Sequence, residues 1–217
     1  GLDYLSYGSQ RIEHFRASSV NPNSLSGNWI SAIIQDANGN LWVGTQDSGL
    51  NFYDKTKKSF SVFKHSDDVF TSISNNHITS ILIDNRGVLW VGTANGLNNS
   101  ESAGRYFTHY VNVDGDSDSL SGDVVYAIYQ DRSLGIWIGT DNGLNRYDPQ
   151  RESFVHHNHQ PTTPNSLAND TVISIFEDNS NVLWVGTDGG GLNKYNRQQD
   201  HFAYYRANPD DPTSLSG

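Results

Sequence analysis

The chain has 217 residues, with 24 Asp and Glu against 14 Lys and Arg, for a net charge of −10. That balance argues against nucleic acid and anionic membrane surfaces as partners, since both demand clustered positive charge, and the one basic run, Lys55, Lys57 and Lys58, is too short to reverse it. There is no Cys, which excludes disulfides, thiolate metal sites and cysteine nucleophiles, and no apolar stretch approaches the roughly 18 residues of a spanning helix, so no direct membrane insertion is expected.

In chain order, residues 1–27 are expected to hold two short strands, 1–5 and 11–16, and a loop ending NSLSG. At residue 28 a fuller unit begins. NWISAIIQD, LWVGT, GLNFYD and FSVF are β-branched and aromatic runs separated by ANGN, QDS and KTKKS, which reads as four antiparallel strands, a to d, joined by turns. The phrase LWVGTQDSGLNFYD at 41–54 returns as LWVGTANGLNNS at 89–100, IWIGTDNGLNRYD at 136–148 and LWVGTDGGGLNKYN at 183–196. Trp42, Trp90, Trp137 and Trp184 lie 48, 47 and 47 residues apart. A period of that size made of short strands indicates propeller blades, because helical repeats would carry a 3.6-residue pattern. The expected fold is all-β: an arc of a β-propeller, one fragment over 1–217, with blades at 28–76, 77–122, 123–169 and 170–217 and an orphan outer half-blade at 1–27. The chain has no Met and starts and stops inside a unit, so an excised piece of a longer protein is expected, flanked by further blades of its parent.

Within a unit, Ile30 and Ile33, Ile78 and Ile81, Val125 and Ile128, and Val172 and Ile175 are three apart. On a regular strand each pair points to opposite faces, so strand a is expected to be apolar on both sides, as stacked blades require. Trp fills the gap between blades, where burying roughly 200 Å² of indole contributes at most about 5 kcal/mol. Gly44, Gly92, Gly139 and Gly186 leave room for close approach, and Asp36, Asp84, Asp131 and Asp178 close the a–b turns as Asx turns. The glycines are no dinucleotide fingerprint, since no helix follows to hold a phosphate.

The unit I–x–x–I–x–x–D–x–x–G/N–x–L–W–V–G–T–x–x–G–L–N–x–Y–D, with an aromatic outer strand and an N–S–L–S–G/N loop, resembles the two-component regulator propeller repeat along essentially the whole chain. Departures are small: IWIGT in the third unit, Asn99-Ser100 for Tyr-Asp in the second, and YN in the fourth. The resemblance implies an extracytoplasmic, periplasmic-side sensor propeller of a bacterial membrane-bound regulator, attached to a histidine kinase or cyclic-dinucleotide synthase and often binding polysaccharide fragments.

Function is expected where the units differ, at the d–a and b–c loops that share one propeller face. The candidate ligand residues are a polar column at the start of strand a (Asn28, Asn76, Asp123, Asp170), the neighbouring Trp29 and His77, Tyr126, and the b–c loop residues Asp47, Asn95, Asp141 and Asp188. Amides, carboxylates and aromatic faces suit an oligosaccharide or other polar small molecule, whose hydroxyls donate and accept while a ring stacks; the competing reading is that Asx residues merely cap turns. Asp114, Asp116 and Asp118 resemble the opening of a calcium loop, but Ser119 and Val125 stand where Gly and Glu are needed, so no metal is expected. His157 and His159 share one side of an exposed strand d but lack a third ligand. No cofactor and no catalytic residue can be named, and the small inner-strand residues Ala32, Ser80, Ala127 and Ser174 favour a non-enzymatic sensor. The alternatives are a secreted carbohydrate-active enzyme or binding module, and a protein–protein scaffold, possible homodimer included.

Overall fold

The computed structural model of the chain describes residues 1–5, 11–101 and 104–215. The turn expected within 6–10 and the last two residues of the terminal SLSG segment lie outside the described residues. Among the described residues every regular element is a strand. A hairpin pairs β1 (Leu2–Leu5) with β2 (Ile12–Phe15). Four antiparallel four-stranded sheets follow, each in simple order: β3 (Ile30–Gln35), β4 (Leu41–Thr45), β5 (Leu50–Asp54) and β6 (Ser59–Phe63); β7 (Ile78–Ile83), β8 (Leu89–Thr93), β9 (Gly96–Ser100) and β10 (Thr108–Tyr110); β11 (Val125–Gln130), β12 (Ile136–Thr140), β13 (Gly143–Asp148) and β14 (Ser153–His157); β15 (Val172–Glu177), β16 (Leu183–Thr187), β17 (Gly191–Asn196) and β18 (His201–Tyr205). These are β-propeller blades. The chain forms two compact units, Gly1–His109 and Tyr110–Gly217.

The register corrects the expected faces of strand a. Ile30 lies opposite Thr45, Ala32 opposite Gly44 and Ile33 opposite Val43, so Ser31 is an extra, bulged residue; Thr79, Tyr126 and Ile173 are bulged at the same place. One added residue reverses the alternation beyond it. Ile30 and Ile33 therefore share the Val43 face rather than pointing apart, and the same holds for the other three pairs. Strand a is not covered on both sides throughout: Ile33 is 49 % and Phe176 60 % exposed.

Each sheet consequently has a Trp face and an aliphatic face, and within each unit the two are complementary. In the first unit, the Trp face of β3–β6 (Trp42, Leu50, Phe52, Phe63) packs on the aliphatic face of β7–β10 (Ile78, Leu89, Val91). The hairpin contributes Leu2 and Phe15 to the opposite, Val43 side of β3–β6. In the second unit, Trp137 and Leu144 pack on Val172, Leu183 and Val185. The glycines following Trp42 and Trp137 make this approach possible: a Cβ on Gly44 would sit 2.6 Å from Ile78 Cγ2, and one on Gly139 2.6 Å from Val172 Cγ1.

Polar side chains hold each blade to its preceding loop. Asn51, Asn98, Asn145 and Asn193, the Asn of GLN, are all 0 % exposed. Their Oδ1 atoms accept the backbone N–H of Ser26, Ser74, Ser121 and Ala168 at 2.8–2.9 Å. Their Nδ2 groups donate to the strand-b carbonyls of Val43, Val91, Ile138 and Val185. Beside each amide a loop residue is wholly buried: Leu25, Ile73, Leu120 and Leu167. The expected Asp turns are present and do more than close a loop. Asp84, Asp131 and Asp178 accept backbone N–H groups on Oδ1 and the indole Nε1–H of Trp90, Trp137 and Trp184 on Oδ2.

An Asn145→Ala variant strands the buried Ser121 N–H and removes a donor from the Ile138 carbonyl. At about 1–3 kcal/mol for each buried polar group left unpaired, chemical denaturation should show a loss of about 2–4 kcal/mol.

Candidate functional site

The start of strand a and the b–c loop meet at one end of each blade. Trp29 O accepts the Gln46 N–H at 3.0 Å, and the pattern repeats at His77 and Ala94, Val124 and Asp141, and Thr171 and Asp188. Neighbouring blades join there too, through Gly49 N–H to Asn76 O and Gly143 N–H to Asp170 O. In the first unit this end gathers Asn28, Trp29, Asp47, Asn76, His77 and Asn95; in the second, Asp123, Asp141, Asp170 and Asp188. Tyr126 is 38 % exposed at the bulge of β11, just inside that end.

The polar column has a structural task. Asn28, Asn76, Asp123 and Asp170 each accept, on Oδ1, the backbone N–H of the residue eleven places earlier: Ala17, His65, Asn112 and His159. The long d–a loops are further tied by Ser24, Ser72, Ser119 and Ser166, whose hydroxyls accept the backbone N–H six residues earlier at 2.9–3.0 Å. These loops are built scaffold. In the b–c loops Asp47 accepts the Ser48 hydroxyl and Asp141 the Val124 N–H, while Asn95 and Asp188 are bonded through their backbone N–H groups.

What remains unused by the scaffold is the side chain of the residue after the column. Its carbonyl carries the bond to the b–c loop, so the side chain is free to vary: Trp29, His77, Val124 and Thr171. Trp29 is 71 % exposed. A large indole held outward by a rigid backbone is a stacking surface.

The second unit also has a hollow of about 410 Å³ between loop 112–117 and the ends of β13 and β14, walled by Asn112, Ser121, Asn142, His156 and Asn158. Asp114 and Asp116 reach it, yet Asp116 Oδ1 accepts the Asp118 N–H within its own turn. Among the described residues no group of three His, Asp or Glu side chains could hold a metal ion. His157 and His159 do not form a pair: His159 Nδ1 binds Leu167 O at 2.7 Å, and His157 lies in the core between two sheets, with its side chain 9 % exposed. Strand d is the outer edge of its sheet, as expected, with Val155 52 % exposed, but the His157 side chain itself is covered by the neighbouring blade. The hollow escaped sequence reasoning because its walls come from separate turns with ordinary turn composition.

A charge cluster is also invisible in the sequence. Arg197 bridges Asp131 Oδ2 and Glu177 Oε1, both at 2.8 Å, with the two carboxylates 0 % and 1 % exposed. Burial by itself raises the Asp131 carboxyl, and the bonds from Trp137 and Arg197 more than reverse this, leaving its pKa below the ordinary range. Its two acids come from sheets β11–β14 and β15–β18, so the cluster is a structural clamp between two blades.

The two component regulator propeller family matches residues 24–47, 72–95, 119–142 and 166–189, each match running from the loop serine through strands a and b. These four units are two component regulator propeller repeats. No curated protein matches the chain. Among solved structures, the chain is similar to the extracellular domain of hybrid two component system BT3049 from B. thetaiotaomicron, at 24 % identity and TM-score 0.54 over 96 % of this chain and 32 % of that one. It is similar to PorZ, a surface component of the type-IX secretion system of Porphyromonas gingivalis, at 17 % identity and TM-score 0.65 over 91 % and 30 %. Virginiamycin B lyase from Staphylococcus aureus aligns at 13 % identity and TM-score 0.61 over 92 % and 60 %. The chain thus spans about a third of the BT3049 domain, and these likenesses establish the propeller fold.

Removing the clamp's cation leaves two buried carboxylates facing each other. Arg197→Ala should lower stability by about 3 kcal/mol, read by denaturant titration at pH 7, with much of the loss recovered when Asp131→Asn and Glu177→Gln are added.

Proposed function

We propose that this chain is a ligand-sensing propeller segment of a bacterial two-component regulator, working on the extracytoplasmic side and binding an oligosaccharide or similar hydroxyl-rich ligand at the end where strand a begins. The carrying observation is Trp29: its carbonyl completes the scaffold bond to Gln46, and the residue stands 71 % exposed. A pyranose ring offers an apolar face for that indole, and exposed Asp47, His77 and Asn95 lie at the same end to meet its hydroxyls. The repeat family and the likeness to the extracellular domain of a two component system support the regulatory setting. A role without chemistry of its own is supported by the small inner-strand residues Ala32, Ser80, Ala127 and Ser174, which supply no carboxylate, imidazole or other general acid or base to activate the two serine hydroxyls.

A panel of soluble oligosaccharides, titrated while Trp fluorescence is followed, tests this reading. We expect at least one to bind, and Trp29→Ala to weaken it about tenfold, or about 1.4 kcal/mol, with an unchanged circular dichroism spectrum. Unaltered affinity in Trp29→Ala removes this end from the site; no binding by any saccharide overturns the ligand class.

A further inference from the structure

One buried ionisable ring in the second unit has no counterpart in the sister repeats. His157 of β14 pairs with Leu144, as Phe63 pairs with Leu50 and Tyr205 with Leu192. The position is thus occupied by Phe in one sheet, Tyr in another and His here. Its ring centroid lies 5.8 Å from Trp137 of its own sheet and 5.5 and 5.7 Å from Tyr195 and Phe202 of the next. The imidazole is therefore part of the contact between sheets β11–β14 and β15–β18.

The charged groups around it are few. Arg146 of β13 lies over the Trp137 ring, 5.6 Å from its centroid. Asp200, in the turn between β17 and β18, approaches Nδ1 to 3.7 Å, beyond hydrogen-bond range, and is 67 % exposed while accepting the Tyr195 hydroxyl. His156 is turned to the opposite face, on Ser119 O. Arg197 is held by its two carboxylates, and His201 at the start of β18 contacts Gln199. A proton on His157 would therefore put a cation into a desolvated layer where the ring faces repay only part of its lost hydration and, among the described residues, Asp200 is the one carboxylate close by, itself screened by water.

We propose that His157 is an acid-sensitive latch between these two blades. As a neutral ring it completes the aromatic layer; protonated, it loosens the interface, so the second unit weakens in mild acid. The first unit, with Phe63 at the same place, does not. Burial holds the imidazole below its ordinary value, with Arg146 and His156 adding to the effect and Asp200 opposing it. The sign follows: the unfolded chain takes up the proton first, so stability is fully present above about pH 6.5 and declines as pH falls below it. The latch does not depend on the ligand reading above, and an acidified surrounding would make the second unit the responsive half of the chain.

The test compares thermal unfolding of the wild-type chain and His157→Phe from pH 7.5 to 5. The wild-type midpoint should fall by about 2–4 °C more than that of the variant; parallel curves overturn the proposal. Should His157→Phe not fold, NMR titration of the wild-type imidazole resonances decides instead. A midpoint for His157 below that of free histidine supports the latch, and one at or above it overturns it. Phe63→His should create a second acid-sensitive step in the first unit, and a Phe63→His chain whose pH dependence matches wild type also counts against the proposal.

Discussion

The fold depends on a buried primary amide. Asn51, Asn98, Asn145 and Asn193 sit on the third strand of each blade, facing the loop that leads into that blade. An amide offers an acceptor and two donors, so one side chain can bind a loop N–H on one side and a strand-b carbonyl on the other. No aliphatic residue could satisfy those backbone groups, and a carboxylate would lack the donor. In three repeats the second amide proton goes to a loop serine, Ser26, Ser74 or Ser121. In the fourth, where Ala168 has no hydroxyl, it goes to Thr187 instead. Long, polar loops are thereby fastened to their blades, each with a buried aliphatic side chain beneath it.

That rigidity bears on function. A loop held by a buried amide, a serine hydroxyl and an Asx carboxamide or carboxylate must break those hydrogen bonds to reshape itself around a ligand. The side chains whose backbone is committed but whose tips hold none of these scaffold bonds are those of Trp29, His77, Val124 and Thr171, which is why the proposed site is placed on them. The scaffold is common to four repeats while these tips differ in size and polarity, so each unit presents a different surface on the same frame.

The second constraint is the bulge in strand a. It turns the two apolar residues of the strand onto one face and leaves the other face to Trp and its neighbours, so a sheet acquires two unlike sides. Trp against Ile, Leu and Val, with glycine at the point of closest approach, is a packing solution used in both units. Differences arise only where an individual residue departs from the pattern. His157 stands where Phe63 and Tyr205 do in other sheets, and Arg197 joins Asp131 and Glu177 in a buried ionic clamp. Among the described residues, the second unit thus carries a buried imidazole and an ionic clamp at its blade interface where the first has Phe63.

Much was legible in the residues themselves. The four-fold phrase, its period and its turn residues fix strand number, antiparallel pairing and blade architecture, because period-2 runs bounded by Gly, Asn and Asp allow little else. The turn-closing Asp and the space-making Gly also declared themselves through fixed spacing. The faces of strand a did not, since a single bulged residue is silent in a pattern three residues apart. Nor did the duties of Asn28, Asn76, Asp123 and Asp170: the N–H groups they accept lie eleven residues back, brought near only by the loop's path. His157 and Arg197 show the same limit, a histidine beside other histidines and an arginine in a polar turn until a neighbouring blade covers them. The sequence by itself determined what each repeat would become, because that rests on local spacing. Tertiary structure alone decided which polar groups are scaffold and which face water, because that depends on the segment packed against them.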